Sequence, residues 1–428
     1  MSIILAILVI GLVILIHELG HFILAKKNGI TVTEFSIGMG PRLVSFVKNG
    51  TRYSIKLLPL GGSCMMLGED ESINDEGAFN NKGVWARFSV LFAGAFFNFI
   101  LAFVLALVVI GIDGIDQSFI NGIETASPAE EAGLMKGDLI TGINGTKVKL
   151  GRELFYHFYF NPVTDEPIEI TYERDGAVSK ALIKPRIKDT YMLGFDYSRD
   201  NAEVLKVVEG YPFAEAGVVV GDVIVKINDI PLTNGADLST YIGANPLTNE
   251  PVTVTYLREG QEYTIEVTPK LYSSEYYTGM DYNLYYQKIP VLSTIKFSFY
   301  ELKFNIKHTV RTLGYLITGK IGLNQVSGPV GIVNVVDNIV EVTKGYGIKV
   351  TLLELASFCI LLSANLGVMN LIPFPALDGG RLVFLLIEAV RGKPISKDKE
   401  AMVHLIGMAA LMLFMVFVFY NDIKNLFV

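Results

Sequence analysis

The sequence predicts an α-helical membrane protein with four transmembrane helices, into which two soluble α+β domains are inserted. Three observations predict this. Four apolar stretches each approach the roughly 20 residues that cross about 30 Å of hydrocarbon. The polar stretch between the second and third repeats itself. The 428-residue chain is 51% hydrophobic and 18% charged, too apolar for an ordinary soluble protein.

The first span is Ile3 to Ala25. Met1 to Ile16 has no basic n-region and no small-residue cleavage site follows, so it reads as a retained helix and not a secretory signal. Inside it lie His17, Glu18 and His21, as H-E-L-G-H. Residues four apart share a helix face, so His17 and His21 aim at one point, as two zinc ligands do, while the adjacent Glu18 can reach a metal-bound water. Ionisable side chains are costly in lipid, which makes this trio a candidate site. The two cysteines, Cys64 and Cys359, stand in unlike contexts and suggest neither a disulfide framework nor a cysteine metal site.

The second span is Val90 to Ile112, the third Val350 to Ile372 and the fourth Met402 to Tyr420. Lys and Arg crowd the loop after the first span (Lys26, Lys27, Arg42, Lys48, Arg52, Lys56, Lys82, Arg87) and the loop between the third and fourth (Arg381, Arg391, Lys393, Lys397, Lys399). Those loops are expected in the cytoplasm and both termini outside. Asp113 to Pro290 carries 27 acidic and 15 basic residues, against a whole-chain net charge of −7, which leaves the remainder basic.

That acidic segment is an internal repeat with an offset of 84 residues. Ala132 to Asn144, AGLMKGDLITGIN, aligns with Ala216 to Asn228, AGVVVGDVIVKIN. The same offset relates Asn161-Pro162 to Asn245-Pro246, Arg174 to Arg258 and Gly176 to Gly260. Each copy has a short helix, then Gly-Asp leading into an alternating strand. This resembles the PDZ domain in its permuted bacterial form, which implies a groove able to take an extended peptide as an added strand. FYELKFNIKHTVRTL, further on, reads as an interfacial amphipathic helix.

Two zinc ligands need a third. The remaining histidines, His157, His308 and His404, each have a plainer reading. The stronger candidate is Asp378, in the stretch Asn370 to Gly380, NLIPFPALDGG. Pro373 and Pro375 break a helix there and Gly379-Gly380 permits a tight bend. Broken helix at membrane depth is tolerated where it lines a cavity.

With H-E-L-G-H in the first span and N-x-x-P-x-P-x-L-D-G-G after the third, the chain resembles the site-2 protease family of intramembrane zinc metalloproteases, in its bacterial sigma-factor-regulating form with tandem PDZ domains. The resemblance spans the chain and implies an organisation of 1–112 membrane core, 113–196 and 197–272 PDZ domains, 273–346 linker helices and 347–428 membrane core. It implies Zn2+ on His17, His21 and Asp378, with Glu18 as the catalytic base. Thr31 to Gly40 and Tyr53 to Gly62 look like the family's re-entrant hairpins, with Gly61, Gly62 and Ser63, and also Asn370 and Pro373, contacting substrate. Ser327 to Gly331 and Asn98 match family positions, whereas Ala95 stands where proline is usual. The implied activity is cleavage of transmembrane segments of single-pass proteins, anti-sigma-factor substrates or remnant signal peptides, in regulated intramembrane proteolysis. The implied location is the bacterial inner membrane, with the PDZ domains outside and the active site near the cytoplasmic face. The partners expected are such substrates, the lipid bilayer and peptides in the PDZ grooves, with no nucleic acid.

Overall fold

A computed structural model describes residues 2–425 apart from 70 and 72. The chain forms two compact units, Met1–Asp116 with Tyr286–Val428, and Gln117–Tyr285.

The first unit opens with α1 (Ser2–Lys27), followed by β1 (Val32–Lys48), β2 (Thr51–Met66) and α2 (Val84–Asp113). β1 and β2 form one long bent hairpin where the sequence suggested separate short ones. Asn49 and Gly50 close it with φ of 50° and 75°, the twist of a type I′ turn. The bend falls near Gly38 and Gly40, where the register shifts. It lets Ile37 pair with both Ile55 and Gly62. α1 meets α2 backbone to backbone: a Cβ on Gly20 would lie 2.4 Å from the Ala93 carbonyl oxygen. Small residues permit such an approach where lipid offers no hydrophobic drive between helices.

The second unit holds both repeats. The first supplies β3 (Ile115–Ile123), α3 (Pro128–Glu131), β4 (Leu139–Ile143), β5 (Thr146–Lys147), α4 (Arg152–Phe160), β6 (Ile168–Arg174), β7 (Ala177–Ile183) and β8 (Arg186–Met192). The second supplies β9 (Phe195–Tyr197), β10 (Val204–Val207), α5 (Pro212–Glu215), β11 (Val223–Ile227), β12 (Ile230–Pro231), α6 (Gly235–Ala244), β13 (Val252–Arg258) and β14 (Gln261–Val267), and β15 (Lys270–Tyr277) and β16 (Met280–Gln287) follow. β16 does not begin a linker helix, as the sequence reading had it. It joins the first repeat's sheet beside β3, in the order β16-β3-β4-β6-β7. β9, at the start of the second repeat, fills the matching place beside β10. Glu124 N–H donates to the Gly279 carbonyl and Val208 N–H to that of Gly194, both at 2.9 Å. The second repeat is thus inserted into the first through a two-stranded neck, β8 against β15, with Arg186 opposite Tyr277 and Met192 opposite Lys270. Each repeat has its own apolar core, around Ile140, Ile170 and Ile183 in one and Phe213, Ile224 and Val254 in the other.

The rest of the first unit is helical: α7 (Val291–Ile317), α8 (Pro329–Thr343), α9 (Ile348–Leu371), α10 (Asp378–Arg391) and α11 (Lys397–Asn425). Among the described residues four helices are long and apolar enough to cross a membrane: Ser2–Lys27, Val84–Asp113, Ile348–Leu371 and Asp398–Lys424. They coincide with the spans read from sequence. α7 contains the stretch read as interfacial. It buries Thr294, Ser298, Glu301, Asn305 and Thr309 and exposes Val291, Leu292, Ile295 and Phe299. A row of polar residues therefore packs inward, beside Phe297 and Leu302, while several apolar residues face out.

Candidate metal centre

The uncharged run of α1 carries His17 and His21 one turn apart on its buried face, where their side chains are about one-tenth exposed (10% and 8%). Their Nε2 atoms lie 3.1 Å apart. Asp378 Oδ2 lies 3.2 Å from His17 Nε2 and 3.3 Å from His21 Nε2. Three atoms each about 2.0–2.2 Å from a tetrahedral zinc stand roughly 3.3 Å apart, so the triangle has the size of a zinc face. Asp378 Oδ2 is buried without a hydrogen-bond partner, as an oxygen reserved for a cation would be. These three form the potential metal-binding group found among the described residues.

Surrounding groups fix the orientation of the rings. His21 Nδ1–H donates to the Val90 carbonyl at 2.9 Å, leaving the Nε2 lone pair toward Asp378. His17 Nδ1 lies 3.4 Å from Asn98 Nδ2 and 3.5 Å from Asn370 Nδ2. The buried Asn98 Oδ1 has no partner. Turning that amide over gives the orphaned oxygen the His17 Nδ1–H and leaves His17 Nε2 free, like that of His21. Gly94 makes room behind both rings: a Cβ there would come within 2.3 Å of His21 Nε2.

Asp378 reaches the histidines because α9 stops at Leu371. Ile372 is extended before Pro373, as a residue preceding proline must be, and α10 restarts at Asp378 itself. Gly379 and Gly380 are not the bend. They are helical and admit backbone closely: Cβ atoms there would lie 2.1 Å from the Ile372 oxygen and 2.5 Å from that of Phe374. The left-handed residue of the turn is Ala376, φ 76°.

A cavity of about 270 Å³ opens beside the triangle, lined by Glu18, Gly62, Ser63, Cys64 and Arg381 among others. Cys64 N–H donates to the Glu18 carboxylate, tying β2 to α1. Gly62 sits against Glu18, where a Cβ would come within 2.9 Å of its Cγ. The other residues expected at substrate divide. Ser63 lines the cavity, its hydroxyl on that of Ser36 at 2.8 Å. Gly61 packs on Met39, Asn370 is at His17, and Pro373 is exposed. His404 stands outside the triangle and accepts a hydrogen bond from Ala376 N–H at 2.9 Å. Gly20, Gly94 and the pair Glu69 and Arg381 at the cavity were not singled out from sequence. The signal available was small residues within apolar spans.

The model of peptidase family M50 matches residues 5–414. The zinc metalloprotease RasP of Geobacillus kaustophilus is 34% identical, covering 100% of this chain and 98% of the relative. The regulator of sigma-W protease RasP of Bacillus subtilis is 33% identical, with 98% of each chain covered. The regulator of sigma E protease of Haemophilus influenzae is 31% identical over 98% of each. Among solved structures, the HtrA-type protease AlgW with a decapeptide matches 38% of this chain and 61% of its own at 13% identity and a TM-score of 0.19, a likeness too slight to argue from. A helical membrane core with two histidines and an aspartate at zinc spacing, matched from end to end by zinc metalloproteases, places the chain in peptidase family M50, as an integral-membrane zinc metalloprotease of the site-2 type.

Proposed function

We propose that His17, His21 and Asp378 hold the zinc, that Glu18 is the general base, and that the substrate is a transmembrane segment of a single-pass protein. The observation that carries this reading is the triangle of 3.1, 3.2 and 3.3 Å, with Glu18 on the adjoining cavity. Bound there, zinc supplies a Lewis acid that polarises a carbonyl and lowers the pKa of a water to about 7. Glu18 takes a proton from the attacking water and delivers it to the leaving amide nitrogen. The strand Gly62–Met66 offers backbone to a substrate that has lost its helical hydrogen bonds, a loss lipid cannot make good. Gly61, Asn370 and Pro373 are proposed as further substrate contacts.

The two repeats are proposed as PDZ domains outside the membrane that limit access for substrates with bulky external parts. The relatives' names speak of sigma-factor regulation; single-pass anti-sigma factors are proposed substrates, with remnant signal peptides as the other class, and the bacterial inner membrane is the proposed location. The test is zinc content and peptide cleavage for wild type and Glu18→Gln. The variant is expected to keep stoichiometric zinc and lose about 10²–10⁴-fold in rate, the usual worth of a positioned proton-transfer group. Near-wild-type cleavage would remove Glu18 from the role.

A further inference from the structure

His404, the histidine of α11, does not approach the metal triangle, yet it touches the segment that delivers the third ligand. Its Nδ1 accepts from Ala376 N–H at 2.9 Å, two residues before Asp378. Ala376 is a non-glycine residue at φ 76°, a conformation that persists only when neighbours hold it. One turn further along the same face of α11, Gly407 lies so close that a Cβ would be 2.4 Å from Pro375 Cβ and 2.6 Å from the Pro375 oxygen. From the opposite side, Gly379 and Gly380 admit the Ile372 and Phe374 carbonyls. The His404 ring lies 5.6 Å from that of Phe384 on α10. The ligand loop is thus gripped between two helices, with one side-chain hydrogen bond at its strained residue.

α11 is the least buried of the four spans. Only 11% of its apolar window is buried, against 22–44% in the other three spans. Its far end is secured by the Asp422 carboxylate, which accepts from Gly328 N–H at 3.0 Å and Gly331 N–H at 2.9 Å. The near end rests on His404 and Gly407.

We infer that His404 is a positioning residue for the metal centre: by accepting from Ala376 N–H it holds the left-handed turn that sets Asp378 Oδ2 against His17 and His21. The inference rests on the zinc reading above and concerns how that site is kept in shape. It assigns His404 no contact with metal or substrate.

Cobalt(II) substitution of the purified full chain tests it, because the visible bands report ligand geometry without any turnover. His404→Ala is expected to shift those bands and to weaken metal binding in chelator competition by at most the roughly 10–100-fold that follows loss of a group bonded directly to a ligand, since His404 acts one step further out. His404→Asn, whose Oδ1 can stand where Nδ1 stood, is expected to restore both. Met408→Ala, an exposed change on the same helix, is expected to alter neither. Ala376→Gly makes the left-handed turn intrinsically accessible, so His404→Ala in that background should cost less than alone. Unchanged cobalt bands in His404→Ala would overturn the inference, and so would an Asn variant as defective as Ala or an Ala376→Gly background that leaves the cost undiminished. Failure of the wild type itself to take up cobalt would refute the zinc reading instead, and this inference with it.

Discussion

In the two repeats a buried arginine–aspartate clasp and the bonds around it occur twice; in the helical core each site contact described above occurs once. Arg174 clasps Asp138 at 2.6 Å and Arg258 clasps Asp222 at 2.7 Å. Each arginine also donates to a glycine carbonyl at 2.8 Å, Gly133 in one repeat and Gly217 in the other. Arg186 donates to the Ala126 carbonyl and Lys270 to that of Gly210, again 84 residues on. Asp138 and Asp222 are carboxylates at 1% exposure, which in isolation would attract a catalytic reading. Their duplication identifies them as architecture. His17, His21 and Asp378 lie outside the repeats, and the groups that meet the buried Asp378 Oδ2 are the two imidazoles that would share a metal with it. Here the recurring buried carboxylate is closed off by an arginine, and the one that occurs once faces potential metal ligands.

The largest expected effect breaks the contact that occurs once. Asp378→Ala, His17→Ala and His21→Ala should each weaken zinc binding by more than the roughly 10–100-fold that losing a partner of a ligand costs, and abolish cleavage. Metal analysis of the purified variants checks this; stoichiometric zinc in Asp378→Ala would place the third ligand elsewhere.

The next effect probes where the repeats differ. Phe213 is fully buried and stacks on Phe195 at 4.3 Å, whereas its counterpart 84 residues earlier is the buried Ala129. Phe213→Ala should destabilise the second repeat by about 3–5 kcal/mol. Ala129→Phe should overpack the first by about 1–3 kcal/mol. Limited proteolysis against denaturant should find the two losses in different repeats.

A smaller effect follows from charge. Burial alone would raise the Asp222 carboxyl, but the Arg258 guanidinium and the Val219 N–H hold it below its ordinary value. A depressed folded value means that the stabilisation is complete above the unfolded value of about 3.9 and is lost as pH falls through the folded one. The second repeat should therefore lose stability progressively below about pH 4, and Arg258→Met should flatten that dependence. Thermal melts across pH measure it; an unchanged slope would deny the clasp its role.

The smallest effect on the metal should come from the largest deletion. Replacing residues 187–276 with an Asn-Gly turn joins the cross-strand partners Arg186 and Tyr277 and removes the second repeat at its neck. Zinc content should not change, since no ligand lies in the excised segment. Loss of zinc would mean that core and repeats are not separable. Cleavage of substrates that retain an external domain, assayed in the same variant, tests the access-limiting role.

Much of this architecture was legible in the chain. Apolar length gave the spans, helical period put His17 and His21 on one face, and the constant offset exposed the repeat. The neck was not legible, because the closing strands follow a different rule. Gly194-Phe195-Asp196-Tyr197 and Gly279-Met280-Asp281-Tyr282 are 85 residues apart, one off the repeat period, and each lies outside the stretch where the alignment is strong. One lies ahead of its repeat and the other behind, so a linear reading gives each to the wrong neighbour. The hairpin eluded the reading because a bent strand pairs with two partners, although Asn49-Gly50 advertised the turn. The glycines in the first turn of α10 were credited with a bend that Ala376 makes, since close packing and left-handed geometry select the same residue type.

The nested repeats also set a timetable for biosynthesis. The second repeat is contiguous from Met192 to Lys270 and can close as soon as it leaves the ribosome. The first, although made earlier, waits for β16, which is complete only at Gln287. At about 5–20 residues per second, the roughly hundred residues from Arg186 to that point take on the order of 5–20 s. Throughout that interval β3 has no partner on one side, so the order of folding reverses the order of synthesis, and the older half of the insertion is the half exposed to mispairing while the chain is still being made.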